Sequence, residues 1–129
     1  MTHKKILVVD DEPDLLKMVK LRLEANEFEV FTASDGAEGI IKARDCKPDL
    51  IIVDVLMPNL DGCAFVQELK KISEIRSIPV IIFTARPDLQ DLFKKEGIDY
   101  YIIKPYQPDE FLGKIKEILG KGKVNPIQL

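Results

Sequence analysis

Four stretches of this sequence place ionisable or hydroxyl side chains directly after apolar runs. They are Asp10-Asp11-Glu12 after Ile6 to Val9, Asp54 after Leu50 to Val53, Thr84 after Val80 to Phe83, and Lys104-Pro105 after Tyr100 to Ile103. Carboxylates gathered at one edge repel one another unless a cation shares them. Carboxylates and water around a small cavity suit a hard divalent ion. Mg2+ in particular takes one or two protein carboxylates and completes its octahedron with waters or phosphate oxygens. An aspartate is already ionised at neutral pH and attacks without a general base. Lysine and threonine donate to oxygens that carry negative charge. The set therefore suits phosphoryl transfer, which asks for charge neutralisation and positioning more than for covalent chemistry. In that chemistry Asp54 is the nucleophile, Asp11 and Asp54 hold Mg2+ with Asp10 acting through water, and Lys104 and Thr84 take phosphoryl oxygens.

This chemistry requires the four run ends to meet. The runs Ile6 to Val9, Leu50 to Val53, Val80 to Phe83 and Tyr100 to Ile103 are apolar without alternation, and Glu29 to Ala33 is a weaker fifth. Strands covered on both faces read this way. Between them lie stripes of helical period: Leu15, Leu16, Val19 and Leu23; Phe65, Val66, Leu69 and Ile72; and Phe111, Leu112, Ile115, Ile118 and Leu119. Weaker helices fit Ala37 to Arg44 and Asp88 to Glu96, the second stopped by Gly97. Strict alternation of strand and helix demands right-handed crossovers and a parallel sheet with helices on both faces. The economical solution is an α/β, flavodoxin-like (βα)5 doubly wound five-stranded sheet in the order 2-1-3-4-5. In such a sheet ligands bind beyond the carboxyl ends of the strands, where these polar residues stand.

Acids also favour helix starts and Pro13 suits a first turn, which would account for Asp11 or Glu12 alone. It does not account for Asp54 and Lys104 at the same edge.

With 129 residues, 46% hydrophobic and 32% charged, the chain can bury one core, and a single domain is expected. A net charge of -3 without a basic stripe argues against direct nucleic-acid binding. No window approaches the roughly 18 apolar residues of a membrane span, so a soluble cytoplasmic protein is expected. Cys46 and Cys63 lack partners at metal-ligand spacing and read as reduced packing residues, and His3 lies near the terminus.

The set "VVDDE" at Val8 to Glu12, Asp54 followed by Pro58, Asp61 and Gly62, "TA" at Thr84-Ala85 and "KP" at Lys104-Pro105 resembles the receiver domain of two-component response regulators. The resemblance covers about 4–119 and leaves 120–129 as a flexible tail or truncated linker. It implies that a sensor histidine kinase or histidine phosphotransfer protein gives its phosphoryl group to Asp54, and that the conformation then switches to signal to a downstream protein. It implies Mg2+ bound by Asp11, Asp54 and the backbone carbonyl of Leu56, with Asp10 in the same site through water, and a cis peptide between Lys104 and Pro105. It also implies a switch in which Thr84 moves toward the phosphoryl group and Tyr101 turns inward. Ordinary core packing is the plainer reading of Tyr101, and Tyr100 and Tyr106 could serve as binding surface.

From Thr84 to Lys104 the chain runs 20 positions, about two fewer than the family pattern. The shortening falls in the Arg86-Pro87 loop or the following helix, on the face the family uses for output and phosphorylation-dependent homodimers. Leu56 and Arg86 fall where the family flanks the phosphoryl group, and an apolar shield with an arginine partner points to a long-lived phosphorylated state.

Other readings are weaker. An aspartate-nucleophile phosphohydrolase needs an acid two residues after Asp54, where Leu56 stands, so turnover of phosphate esters is not expected. A flavodoxin-like cofactor carrier needs a hydroxyl- and glycine-rich phosphate loop after the first strand, where Asp10-Asp11-Glu12 stand. The remaining alternative is a constitutive protein-binding module that is never phosphorylated.

Overall fold

The computed structural model describes residues 3–54, 62–84, 90–95, 100–103 and 107–121, with the backbone alone at 54, 62, 63, 84, 90, 92, 93, 108 and 121. The elements alternate in chain order. They are β1 Lys5–Val9, α1 Pro13–Ala25, β2 Glu29–Ala33, α2 Gly36–Cys46, β3 Leu50–Asp54, α3 Gly62–Lys70, β4 Val80–Thr84, α4 Gln90–Lys95, β5 Tyr100–Ile103 and α5 Pro108–Lys121. Their strands form one parallel sheet, as the alternation required, in the expected order β2-β1-β3-β4-β5. Among the described residues no helix is long and apolar enough to cross a membrane.

The unbroken apolar runs reflect burial on both faces, because successive strand residues point to opposite sides. Leu7, Val9, Ile51, Val53, Val80 and Ile82 pack under Ala43 of α2 and Phe65, Val66 and Leu69 of α3. Ile6, Val8, Leu50, Ile52, Ile81 and Phe83 pack under Val19 and Leu23 of α1 and Phe111, Ile115 and Ile118 of α5. Each large aliphatic or aromatic side chain so buried contributes about 1.5–3 kcal/mol of transfer free energy. On the second face Phe83 and Phe111 meet edge to face at 5.3 Å, which ties α5 to the end of β4.

Local chemistry sets the helix ends. Asp35 caps α2, its Oδ1 accepting from the Glu38 amide at 2.8 Å, while Glu38 Oε1 reaches back to the Ser34 amide at 2.6 Å. The first bond satisfies an amide that the first turn leaves without a helical partner, and the second ties the residue before the cap to the same turn. α2 ends at Lys47, left-handed at φ 46°, whose amide bonds Ala43 O. α3 stops at Lys70, earlier than its apolar stripe. Beyond it Ile72, Ile75 and Ile78 donate in turn to the carbonyls of Leu69, Ile72 and Ile75 at 3.1–3.2 Å, a series of tight turns that keeps this side of the chain on the α2 and α3 face.

The strands exceed their apolar runs at several ends. β1 begins at Lys5, and Asp54 and Thr84 are the last residues of β3 and β4. α5 continues through Lys121, so Gly120 and Lys121 of the stretch read as tail are helical. The Gly97 stop lies outside the described residues.

Candidate functional site

Registration between neighbouring strands builds the site. Val9 pairs with Ala33 on one side and Val53 on the other, so β1, β2 and β3 end level with one another. The Asp10 amide extends the ladder by donating to Ala33 O at 3.1 Å. Asp10 and Asp11 therefore leave β1 directly beside Asp54, the last residue of β3. Asp54 pairs with Phe83, and Thr84 with Ile103. The carboxyl edges of β1, β3, β4 and β5 thus carry Asp10, Asp54, Thr84 and the residue that precedes Lys104.

Asp10 is the one buried polar or charged residue among those described, at 8% exposure. Burying a carboxylate is costly unless hydrogen bonds or a cation compensate. Part of the compensation comes from the Glu12 amide, which donates to Asp10 Oδ1 at 3.0 Å. Glu12 is the N-cap of α1 and makes no side-chain cap bond, and proline follows it. Asp10 therefore anchors the start of α1, a role the sequence reading did not give it. The acidic spacing D-x-E before a proline was the available signal. Asp11 is half-buried beside it and Glu12 is exposed.

Among the described residues no three His, Cys, Asp or Glu side chains converge on a metal position, and Asp54 is described by its backbone alone. The donor chemistry nonetheless fits a hard cation. A buried carboxylate and a half-buried one, with a third aspartate in register on the next strand, supply oxygen and no nitrogen or sulfur.

Tyr101 pairs with Ile82, two residues before Thr84, and packs partly buried on the α2 and α3 face. Tyr100 packs on the opposite face. Leu56, Arg86, Lys104, Pro105 and Tyr106, and with them the expected carbonyl ligand, phosphoryl contacts and cis peptide, lie outside the described residues. Residues 85–89 and 96–99, within the shortened Thr84 to Lys104 stretch, do too.

A parallel 2-1-3-4-5 sheet with aspartates level at its carboxyl edge has known counterparts. The family description "response regulator receiver domain" matches residues 6–116. The chain belongs to the response regulator receiver domain family. Receiver domains are the phosphotransfer signalling modules of two-component systems, and they generally bind Mg2+ at the phosphorylation site and receive phosphoryl groups from histidine kinases. This receiver is 38% identical over 124 residues to the alkaline phosphatase synthesis transcriptional regulatory protein PhoP of Bacillus subtilis (strain 168), covering 95% of this chain and 51% of that protein. It is 41% identical over 123 residues to the probable transcriptional regulator ycf27 of Cyanophora paradoxa, covering 94% and 50%. It thus spans about half the length of these curated relatives. Among solved structures, the chemotaxis response regulator CheY4 of Vibrio cholerae superposes with a TM-score of 0.83 at 32% identity, over 91% of this chain and 99% of that one.

Proposed function

We propose that this receiver, spanning 4–119, accepts a phosphoryl group on Asp54 from a sensor histidine kinase or a histidine phosphotransfer protein. The observation that carries the reading is the Val9–Val53 register, which sets Asp10 and Asp11 beside Asp54 at the carboxyl edge. An Asp54 carboxylate oxygen attacks phosphorus as the bond from phosphorus to the donor imidazole nitrogen breaks. The electron pair returns to the imidazole, which leaves neutral once protonated. Asp11, Asp54 and the Leu56 carbonyl, with Asp10 through water, would hold Mg2+, which would supply charge neutralisation for the phosphoryl oxygens. Lys104 and Thr84 donate to the remaining oxygens. The protein performs this chemistry on its own carboxylate and turns over no separate substrate.

Phosphorylation adds roughly -1.5 to -2 charge. Thr84 moves to meet it, and the ring of Tyr101, on the face of Val80 and Ile82 that the alternation of β4 also assigns to position 84, fills the space left behind. The altered surface is read by a downstream protein in the cytoplasm. Intact mass after incubation with Mg2+ and acetyl phosphate tests the reading. A gain of one phosphoryl group, lost with chelator and lost in Asp54→Ala, supports it, whereas no gain in the native chain would shift the function to constitutive protein binding.

A further inference from the structure

The outer strand β2 carries a feature independent of the aspartates. It stands first in the sheet order, so β1 covers one of its edges and, among the described residues, no strand covers the other. The ladder fixes which backbone groups face that open edge. The Glu29 amide donates to Lys4 O at 2.9 Å, and the Asp10 amide donates to Ala33 O at 3.1 Å. Residues two apart on a strand turn their amide and carbonyl to the same side. Glu29, Phe31 and Ala33 therefore bond β1, while Val30 and Thr32 present theirs outward.

Such an edge is a template for a further strand. The central residues Val30, Phe31 and Thr32 are of the β-branched and aromatic types that favour strands. Exposed Glu29 puts a charge at the amino end of β2, but Thr32 and Ala33 at its carboxyl end carry none. There the charge arrives from α2. Lys42 Nζ donates to the Thr32 carbonyl, the last outward acceptor of the strand. Its placement follows from how the helix packs. Gly39 and Ala43 are the buried residues of α2, so Lys42, three positions after the first and one before the second, stands half-buried at the margin of the packed face. Among the described residues Lys42 joins no ion pair, and the carbonyl is its partner.

We propose that Lys42 guards the edge of β2 against a second copy of this chain. The ammonium occupies the Thr32 carbonyl and holds a strongly hydrated charge across the strand. A second β2 adding here would have to displace that bond and desolvate the charge. In a two-fold pairing of β2 on β2 the ammoniums of both copies would also meet along one seam, where like charges oppose. The device keeps the β2 edge out of self-association.

The test is sedimentation velocity across a concentration series on the full chain, beside Lys42→Met, Lys42→Ala, Lys42→Arg and the double variant Lys42→Met/Thr32→Pro. Methionine and alanine both remove the charge and the donor and suit a helix, so one serves if urea midpoints show the other to fold poorly. Proline at position 32 removes an outward amide that the β1 ladder does not use. The proposal expects the two neutral variants to self-associate about tenfold more tightly than the native chain, with amide exchange at Val30 and Thr32 slowed on association. It expects Lys42→Arg to match the native chain and Thr32→Pro to abolish the gain. Unchanged association in the neutral variants would overturn it, as would association of Lys42→Arg as tight as theirs. So would a gain that leaves exchange at Val30 and Thr32 unaltered or survives Thr32→Pro, since either result puts the contact on another surface.

Discussion

Val9 lies opposite Val53 across the ladder of β1 and β3, and the next position on each chain is an aspartate, Asp10 and Asp54. Two buried apolar residues thereby set two aspartate positions level at the edge of the sheet, and Asp11 follows at once. The same register that packs the core concentrates negative charge.

That concentration has a measurable cost. Without a cation the carboxylates repel, and removing one charge relieves the repulsion. Calorimetry of Asp11→Asn in chelator is expected to show a Tm a few degrees above the native chain, corresponding to about 1 kcal/mol. Millimolar Mg2+ is expected to raise the native Tm and leave the variant nearly unchanged, since only a state that binds the ion is stabilised. Equal Mg2+ shifts in both chains would remove Asp11 from the ligand set.

Two helical glycines are expected to respond in opposite directions. A Cβ at Gly39 of α2 would meet Phe65 Cε1 at 2.9 Å and Val9 Cγ2 at 3.1 Å, so α2 approaches the sheet as closely as it does only with hydrogen there. Gly39→Ala is expected to destabilise by about 1–3 kcal/mol through overpacking. Gly113 of α5 has nothing within 4 Å of its would-be Cβ. Gly113→Ala is expected to stabilise by about 0.5–1 kcal/mol, the usual helix-interior difference. Urea midpoints of the two variants check both signs.

Burial pushes the Cys46 thiol up, against an opposing pull from the Lys5 ammonium. The folded chain therefore keeps its proton to higher pH than the unfolded chain does. The resulting stabilisation is full below the unfolded thiol pKa of about 8.5 and is lost as pH rises through the folded value. In a Cys63→Ser background, native Cys46 is expected to lose stability relative to Cys46→Ser between pH 7 and pH 10. It is also expected to alkylate more slowly at pH 8 than the unfolded chain.

Much of this was legible in the sequence because period and burial are linked. Unbroken runs such as Leu50 to Val53 announced strands covered on both faces, and their alternation with helical stripes called for a parallel sheet, of which the observed strand order is the economical form. Edges were less legible. Apolar runs stop where burial stops, but ladders continue while backbone partners remain, so Asp54 and Thr84 belong to the strands. α5 likewise outlasts its stripe by two residues. Gly39 gave no signal, since its role depends on Phe65 arriving from another helix. Nor did Asp49, whose hydrogen bonds to Lys5 join residues 44 positions apart.

The central claim is that Asp54 receives the phosphoryl group. After incubation with acetyl phosphate and Mg2+, borohydride reduction of an acyl phosphate converts the modified aspartate to homoserine, which peptide mass spectrometry then locates. The account predicts homoserine at position 54, absent when metal is chelated. Modification at Asp10 or Asp11 with position 54 unchanged, or no modified aspartate at all, would contradict it.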